Sequence, residues 1–564
     1  MPDFRIAVRQ RTGECESASS VNNRAQAIAV LPLDLLRQIR NRHGIGEITS
    51  EWEGTQSGGR ERCGTITRLR GGAIDEKHCR AALRECTGNN FSNLTLSSHT
   101  REEDWIAEVG LGHGTEYVWR TARMPTNRSY SLAERLERLG IVIVSVLVLY
   151  LAFVGLLSIT RGTPVSTVIS EGDRRGPPPP SDSLFSRTME LYTGMHIGAG
   201  SRVQPVNNGS VYDSLWKDLR AAKQTITVQM YYSLPGKVAD TLAAILAERA
   251  RARVRVLLLL DAFGSQNLKR QWAQRLRQAG VEVALLRKLR WYSIHNATDR
   301  SHVRVVVVDG NVGYTGGFGL ADYWLGDGHH ENQWRESNVR FEGPAVMQLQ
   351  AAFASAWAES TGELITGDIF FPTRGFAPLP GGVDAGLLFT APTTGSTPAE
   401  RFLALSIAAA HKTLYITNSY FVPDDDFRRL LQRAASRGVD VRVLTVGDKT
   451  DVKTTWYAGR HWYEELLSEG IRIYEYQPTM IHSKTMVVDG LWSSVGSMNF
   501  DNRSLAFNNE SDLVILDRSF GASMDSTFFD DLRYAKEIKL DEFRKRSPWQ
   551  HLLESVAVTL SRLL

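Results

Sequence analysis

The sequence predicts a duplicated α/β fold carried behind a single membrane-spanning helix, and three observations predict it. Apolar strand-like runs alternate with amphipathic stretches through residues 186–546, the pattern of βαβ units around a buried sheet. The same order of runs occurs twice. Residues 139–159, LGIVIVSVLVLYLAFVGLLSI, are 21 positions without a charge.

The chain has 564 residues, which suggests about three or four domains. Its 66 basic residues nearly balance 62 acidic ones, leaving +4. That is too even for a protein that blankets nucleic-acid phosphates, so no nucleic-acid partner is expected. With 42% hydrophobic and 23% charged residues, neither wholesale disorder nor a polytopic membrane protein fits.

Residues 1–123 hold one lysine, Lys77, among many arginines, show little periodicity and suggest no function. Met124 opens MPTNRSYSLAERLERLG ahead of the apolar run, as a short signal-anchor begins. Translation from Met124, with a spurious upstream region, is therefore an expectation that N-terminal peptides would test. All four cysteines, Cys15, Cys63, Cys79 and Cys86, precede the apolar run. The part that follows has neither thiol catalysis nor a disulfide, and the Cys79–Cys86 spacing matches no common zinc motif.

At 1.5 Å per residue the uncharged run reaches about 31 Å, the thickness of a bilayer core, and it carries no polar stripe. The anchor with this transmembrane helix spans 124–160. Arg120, Arg123, Arg128, Arg135 and Arg138 precede the helix, whereas Arg161, Arg174 and Arg175 follow closely. The positive-inside rule then places the N-terminus inside and the rest outside. Residues 161–185, with Gly172, Gly176 and Pro177–Pro180, read as a stiff spacer holding the next domain off the membrane.

The first half, 186–365, contains ITVQMYY (226–232), the helical DTLAAILAERARAR, VRVLLLLD (254–261) and GVEVALL (280–286). The second, 366–546, answers with LYITNSYF (414–421), FRRLLQRAASRGVD, VRVLTVGD (441–448) and GIRIYEY (470–476). RKLRWY (287–292) and WYAGRHWY (456–463) mix basic and aromatic residues. As loops they suit a lipid headgroup layer, single-stranded nucleic acid or plain surface. At 547–564, Trp549, Leu552, Leu553, Val556, Leu560 and Leu563 recur at helical spacing, giving an apolar face for the membrane interface or for the catalytic domain.

Each half ends in a strand with the same decoration, HVRVVVVDG (302–310) and HSKTMVVDG (482–490). Alternation along a strand puts His302 with Arg304, and His482 with Lys484, on one face. Asp309 and Asp489 follow seven residues after each histidine. A lone strand histidine is usually a core residue and an Asp before Gly is often turn chemistry. The pattern H-x-[KR]-x₄-D at matching places in a repeat points instead to two imidazole–cation sites clamping one phosphodiester.

The two motifs resemble the signature of the phospholipase D superfamily. The flanks VGYTGGFGLADYWLG (312–326), WRESNVRFEGPAV (334–346), NSYFVPD (418–424) and VGSMNFDNRSLAFNNE (495–510) resemble its bacterial cardiolipin synthase branch. The resemblance covers about 190–545 and implies a duplicated sandwich of two mixed sheets flanked by helices, with pseudo-twofold symmetry. It implies phosphatidyl transfer through a phosphohistidine, without metal or other cofactor, on phospholipids such as phosphatidylglycerol at a bacterial inner membrane. His302 is then the nucleophile and His482 the general acid and base, with the reverse assignment as the alternative. Arg304 and Lys484 are the phosphate-binding cations, and Asp309 and Asp489 complete the catalytic motif. Glu510 pairs with His302 and Glu336 with His482, each across the halves. Asn499, with Ser497 and Gly317, lies on the substrate side.

Three positions depart from the family pattern. Arg304 stands for lysine, Gly319 stands where the second half has Asn499, and Glu336 stands where such synthases usually have Asp. Hydrolysis to phosphatidic acid, a nuclease and an inactive lipid-binding scaffold remain as alternatives.

Overall fold

The computed structural model describes the helix 132–161, residues 165–169, 177–288, 300–391 and 396–559, and the backbone of six strands within the first 121 residues. The chain divides into two compact units, Met1–Val146 and Leu147–Leu564.

In the first unit, β1 (Phe4–Arg9), β2 (Glu47–Ser57), β3 (Arg60–Arg70), β4 (Leu94–Ser97), β5 (Ile106–Leu111) and β6 (Thr115–Thr121) form one sheet in the order β2-β3-β1-β6-β5-β4. Every pairing in it is antiparallel. The sequence reading placed no elements here because charges interrupt any apolar period. The signal was local: Ser57 pairs with Arg60 across Gly58-Gly59, a two-residue hairpin dipeptide. The apolar run lies within one helix, Leu132–Arg161, whose stretch Leu136–Phe153 is long and apolar enough to cross a membrane.

The second unit begins with β7 (Gly198–Pro205), β8 (Thr225–Met230), β9 (Arg255–Asp261), β10 (Glu282–Leu286), β11 (Arg300–Ser301), β12 (Val305–Val308), β13 (Val312–Gly316) and β14 (Asn338–Glu342). It continues with β15 (Val383–Thr390), β16 (Thr413–Asn418), β17 (Asp440–Val446), β18 (Arg472–Tyr476), β19 (Lys484–Val488), β20 (Trp492–Gly496), β21 (Asn508–Leu516) and β22 (Ala535–Ile538). Strands β8, β9 and β10 pair in parallel, as do β16, β17 and β18. The helices Lys237–Arg251 and Asp425–Ser436 occupy the expected crossovers. β7 pairs with β15, so the two half-sheets run on as a single mixed sheet.

The four valines of β12 show why these strands read as unbroken apolar runs. Val306 and Val308 enter the first half's own core, while Val305 and Val307 enter a second core. That second core also holds Val487, Val495 and Leu513 from the other half. Both faces of the sheet are buried, so no polar alternation survives. The shared core fixes one half against the other.

The proline-rich segment does not stand clear as a spacer. Val165 and Val168 pack against the second half's core, the Thr167 hydroxyl accepts from Arg433, and the Pro177 carbonyl is 3.1 Å from the His411 ring. Its apolar residues are what draw it onto the domain. A helix already starts at Ser183, capped by the Asp182 carboxylate.

Candidate active site

β12 and β19 begin at Val305 and Lys484, so both histidines precede their strands rather than lying on them. Each lead-in is zipped to the opposite half. Arg300 and Ser301 pair with Asn508 and Asn509, and the His302 N–H donates to the Asn509 carbonyl at 2.9 Å. Ile481 pairs with Arg335, and the His482 N–H donates to the Arg335 carbonyl at 2.7 Å. The next residue in each receiving segment is a glutamate, Glu510 or Glu336, and its side chain turns to the histidine ring. His302 Nδ1 is 2.9 Å from Glu510 Oε2, and His482 Nδ1 is 2.6 Å from Glu336 Oε2. Two backbone ladders running between the halves therefore set two imidazole–carboxylate pairs. With Nδ1 engaged, Nε2 is the nitrogen left to react.

Both glutamates are buried, at 0% and 1% exposure, and the histidines keep 7% and 5%. Glu510 accepts from the Ser497 hydroxyl at 2.6 Å and the Asn508 amide at 3.2 Å. Glu336 accepts from the Trp324 indole N–H at 3.1 Å and the Ser337 N–H at 3.1 Å. Arg304 and Lys484 are both buried. The Arg304 guanidinium donates to the carbonyls of Phe318, at 3.3 Å, and His302, and lies 5.7 Å from the Tyr231 ring. Lys484 donates to the Ser419 hydroxyl at 3.0 Å and to the His482 carbonyl, and lies 5.9 Å from the Tyr420 ring.

Burial dominates the electrostatics. It holds both imidazoles well below the usual histidine range, and each is pushed further down by Arg304 and Lys484 together. His482 also feels His302. Cations from both halves thus act on both rings, as in one shared site. Burial raises the carboxyls of Glu336 and Glu510 to about 7 and lowers Lys484 to about 7. Arg304 and Lys484 are the cations that a phosphodiester's non-bridging oxygens would meet here, while the two glutamates stand behind the rings on Nδ1.

Not every sequence-predicted residue comes to this site. Asp309 and Asp489, counted as catalytic from the motif, end their strands seven residues beyond the histidines, roughly 20 Å away along extended chain. The Asp309 carboxylate accepts the backbone N–H groups of Lys223, Gln224 and Thr225. Asp489 does the same for His411, Lys412 and Thr413. Both residues adopt left-handed backbone, φ 51° and 54°, in a tight hairpin turn before glycine. They bind the turn to the neighbouring strand, which is the turn chemistry an Asp-Gly pair ordinarily serves.

Ser497 and Gly317, placed on the substrate side from the motif, serve the carboxylates instead. The Ser497 hydroxyl is committed to Glu510 and to the Ser511 N–H. A Cβ at Gly317 would stand 2.4 Å from Glu336 Oε2, so only glycine leaves that carboxylate room. Asn499 is buried with its Oδ1 unpartnered and its amide 3.4 Å from Ser504. At Gly319 a Cβ would meet the Trp324 ring at 2.8 Å and the Tyr232 carbonyl at 2.9 Å. The indole fills the space an amide would need.

Sequence reasoning passed over Trp324, Tyr231, Ser419 and Tyr420. Aligning YYS after β8 with SYF after β16 would have flagged the last three. Trp324 also packs edge-on to His482, centroids 5.5 Å apart. WYAGRHWY is helical rather than a loop: all but Trp462, the junction between them, falls in the helices Lys453–His461 and Tyr463–Ser468. There Trp456 and Arg460 both donate to the buried Glu475. Of RKLRWY, residues 289–292 lie outside the described residues. Among the described residues no group of three or more His, Cys, Asp or Glu is placed to hold a metal ion.

A family model described as "Cardiolipin synthase, PLD-like domain" matches residues 215–357 and 403–532. The chain is 33% identical over 375 residues to a cardiolipin synthase of Geobacillus kaustophilus, covering 66% of this chain and 74% of the relative. It is 31% identical over 384 residues to cardiolipin synthase 2 of Bacillus anthracis, covering 68% and 74%. A solved phosphatidylserine synthase of Haemophilus influenzae superposes with a TM-score of 0.51 at 14% identity, across 67% of this chain and 99% of that one. At that identity the likeness is one of fold.

Proposed function

The chain belongs to the cardiolipin synthase family of phospholipase D-like proteins, and on that footing we propose that it joins two phosphatidylglycerols into cardiolipin with release of glycerol. The observation that carries this reading is the pair of imidazole–carboxylate contacts, each made between residues of opposite halves.

Glu510 holds the Nδ1–H of His302, and burial with two neighbouring cations keeps the ring neutral. Its Nε2 attacks the phosphorus of the first lipid, and the bond to the glycerol oxygen breaks. His482 gives that oxygen a proton. Burial first, and then the Lys484 and Arg304 charges, depress His482. Bound phosphate offsets those charges and the Glu336 carboxylate on Nδ1 supports the imidazolium, so the ring can hold this proton when substrate is present. In the second step His482 takes the proton from the primary hydroxyl of another phosphatidylglycerol. That oxygen displaces His302 from phosphorus. Arg304 and Lys484 hold the two non-bridging oxygens throughout, and Asn499 adds an amide on the second half's side.

The apolar helix fits a single anchor. Its flanking arginines favour an internal N-terminus with the catalytic unit outside. Labelled phosphatidylglycerol in mixed micelles tests the reading: cardiolipin and glycerol are expected, lost on His482→Ala and unchanged by a chelator. Phosphatidic acid as the main product would replace transfer by hydrolysis. Cleavage of an oligonucleotide, or no turnover at all, would remove the lipid-transfer reading.

A further inference from the structure

The terminal helix Pro548–Thr559 has two unlike faces. Its inner face is fastened to the catalytic unit. Glu554, 1% exposed, lies between Arg546 at 2.9 Å and Arg460 at 3.5 Å, and Ala557 packs against Ala458 and Val422. Its outer face carries Trp549, Leu552 and Val556 at 64%, 51% and 54% exposure. These positions recur at i, i+3 and i+7, so they form one stripe. A helix clamped this firmly cannot roll to hide them.

Two observations say what covers the stripe. The hydroxyl of Tyr150, within the apolar run of the anchor helix, donates to the carbonyl of Thr559 at the end of the terminal helix. In hydrocarbon a tyrosine hydroxyl and a last-turn carbonyl each lack a water partner, and here each satisfies the other. At the opposite end, exposed Lys545 precedes the helix, next to Arg544, which pairs with Glu464 at 3.1 Å; such a lysine suits an anionic headgroup layer.

The terminal helix also leads to the chemistry. It rests on the helix Lys453–His461, which follows Asp451. The Asp451 carboxylate accepts the Tyr420 hydroxyl at 2.7 Å, and the Tyr420 ring lies beside Lys484. We propose that the terminal helix is a membrane-docking element whose Trp549–Leu552–Val556 stripe enters the bilayer beside the anchor, setting the active-site end of the second half at headgroup depth. This deepens the phospholipid reading above and rests on it for its purpose, though its test does not need turnover.

The test uses the full chain in vesicles of phosphatidylglycerol and phosphatidylethanolamine, with a benzophenone amino acid replacing Leu552, Val556 or the exposed Glu248. Irradiation should yield lipid adducts at 552 and 556 and none at 248. Adducts only to protein at 552 and 556, or lipid adducts equal at all three, would overturn the proposal. In a second measurement, Leu552→Glu with Val556→Glu should raise KM for vesicle substrate about tenfold while turnover of monomeric short-chain lipid stays within about twofold. An unchanged vesicle KM would also overturn it. If the parent chain makes no cardiolipin but still forms lipid adducts, the reaction assignment fails and the docking stands.

Discussion

The two halves build the same imidazole–carboxylate pair on different supports. The second half buttresses Glu510 with a serine hydroxyl and an asparagine amide and keeps Asn499 nearby. The first half buttresses Glu336 with the Trp324 indole and has glycine at both corresponding positions, Gly317 and Gly319. Each cation reaches the carbonyl of its own histidine and lies beside a tyrosine ring, but Lys484 adds the Ser419 hydroxyl where Arg304 adds the Phe318 carbonyl. Gly317 and Gly319 look like losses when compared position by position. With side chains in place they are the space that Glu336 and Trp324 occupy. What both halves preserve is a fully partnered buried carboxylate at imidazole Nδ1, and more than one set of donors can supply it.

The largest effect comes from breaking that common feature. Glu510→Gln and Glu336→Gln should each lower kcat on the order of a thousandfold, because the amide no longer fixes the tautomer or supports the imidazolium. A large loss in only one variant would mean that a single pair carries the reaction. Exchanging the cations is next. Lys484→Arg forces a larger fork into a site built for an ammonium and should cost about a hundredfold in kcat, whereas Arg304→Lys leaves slack and should cost about tenfold. Equal losses would erase the asymmetry proposed between the two supports.

Trp324→Phe sharpens the comparison through pH. Burial raises Glu336 to about 7, and the indole N–H is among the contacts that hold it down. Protonating either glutamate frees its histidine, so kcat/KM of the parent should fall as pH drops through about 7. Without the indole donor Glu336 rises further, and the acid limb should move to higher pH with about a threefold to tenfold loss near neutrality. An unmoved limb would show that Trp324 only fills space. Asp309→Asn should do least to catalysis, leaving kcat near parent while costing about 1–3 kcal/mol of stability as backbone donors lose their carboxylate. A collapse of kcat with unchanged melting would restore Asp309 to the chemistry.

Legibility followed the range of the interactions. The sheet strands, the repeat and the two decorated lead-ins are local patterns, and the sequence shows them. The partners of the histidines are not local: Glu510 stands 208 residues from His302 and Glu336 stands 146 from His482. Only the family resemblance joined them. The Asp-Gly turns were visible, but shared membership of one motif masked their separate job. Trp324 was unreadable because its three roles, donor to Glu336, wall for His482 and filler beside Gly319, exist only once both halves meet. The stripe on the terminal helix was visible as periodicity, and its inner clamp on Glu554 was not.

The central claim is that two halves serve one phosphorus atom, with His302 as the group that carries it. A phosphatidyl p-nitrophenyl ester tests it directly, since so good a leaving group needs no acid. On His482→Ala the account expects one p-nitrophenol released per chain and one phosphatidyl group trapped on the His302 peptide by mass spectrometry, and on His302→Ala neither. Label on the His482 peptide, or two phosphatidyl groups per chain, would contradict it.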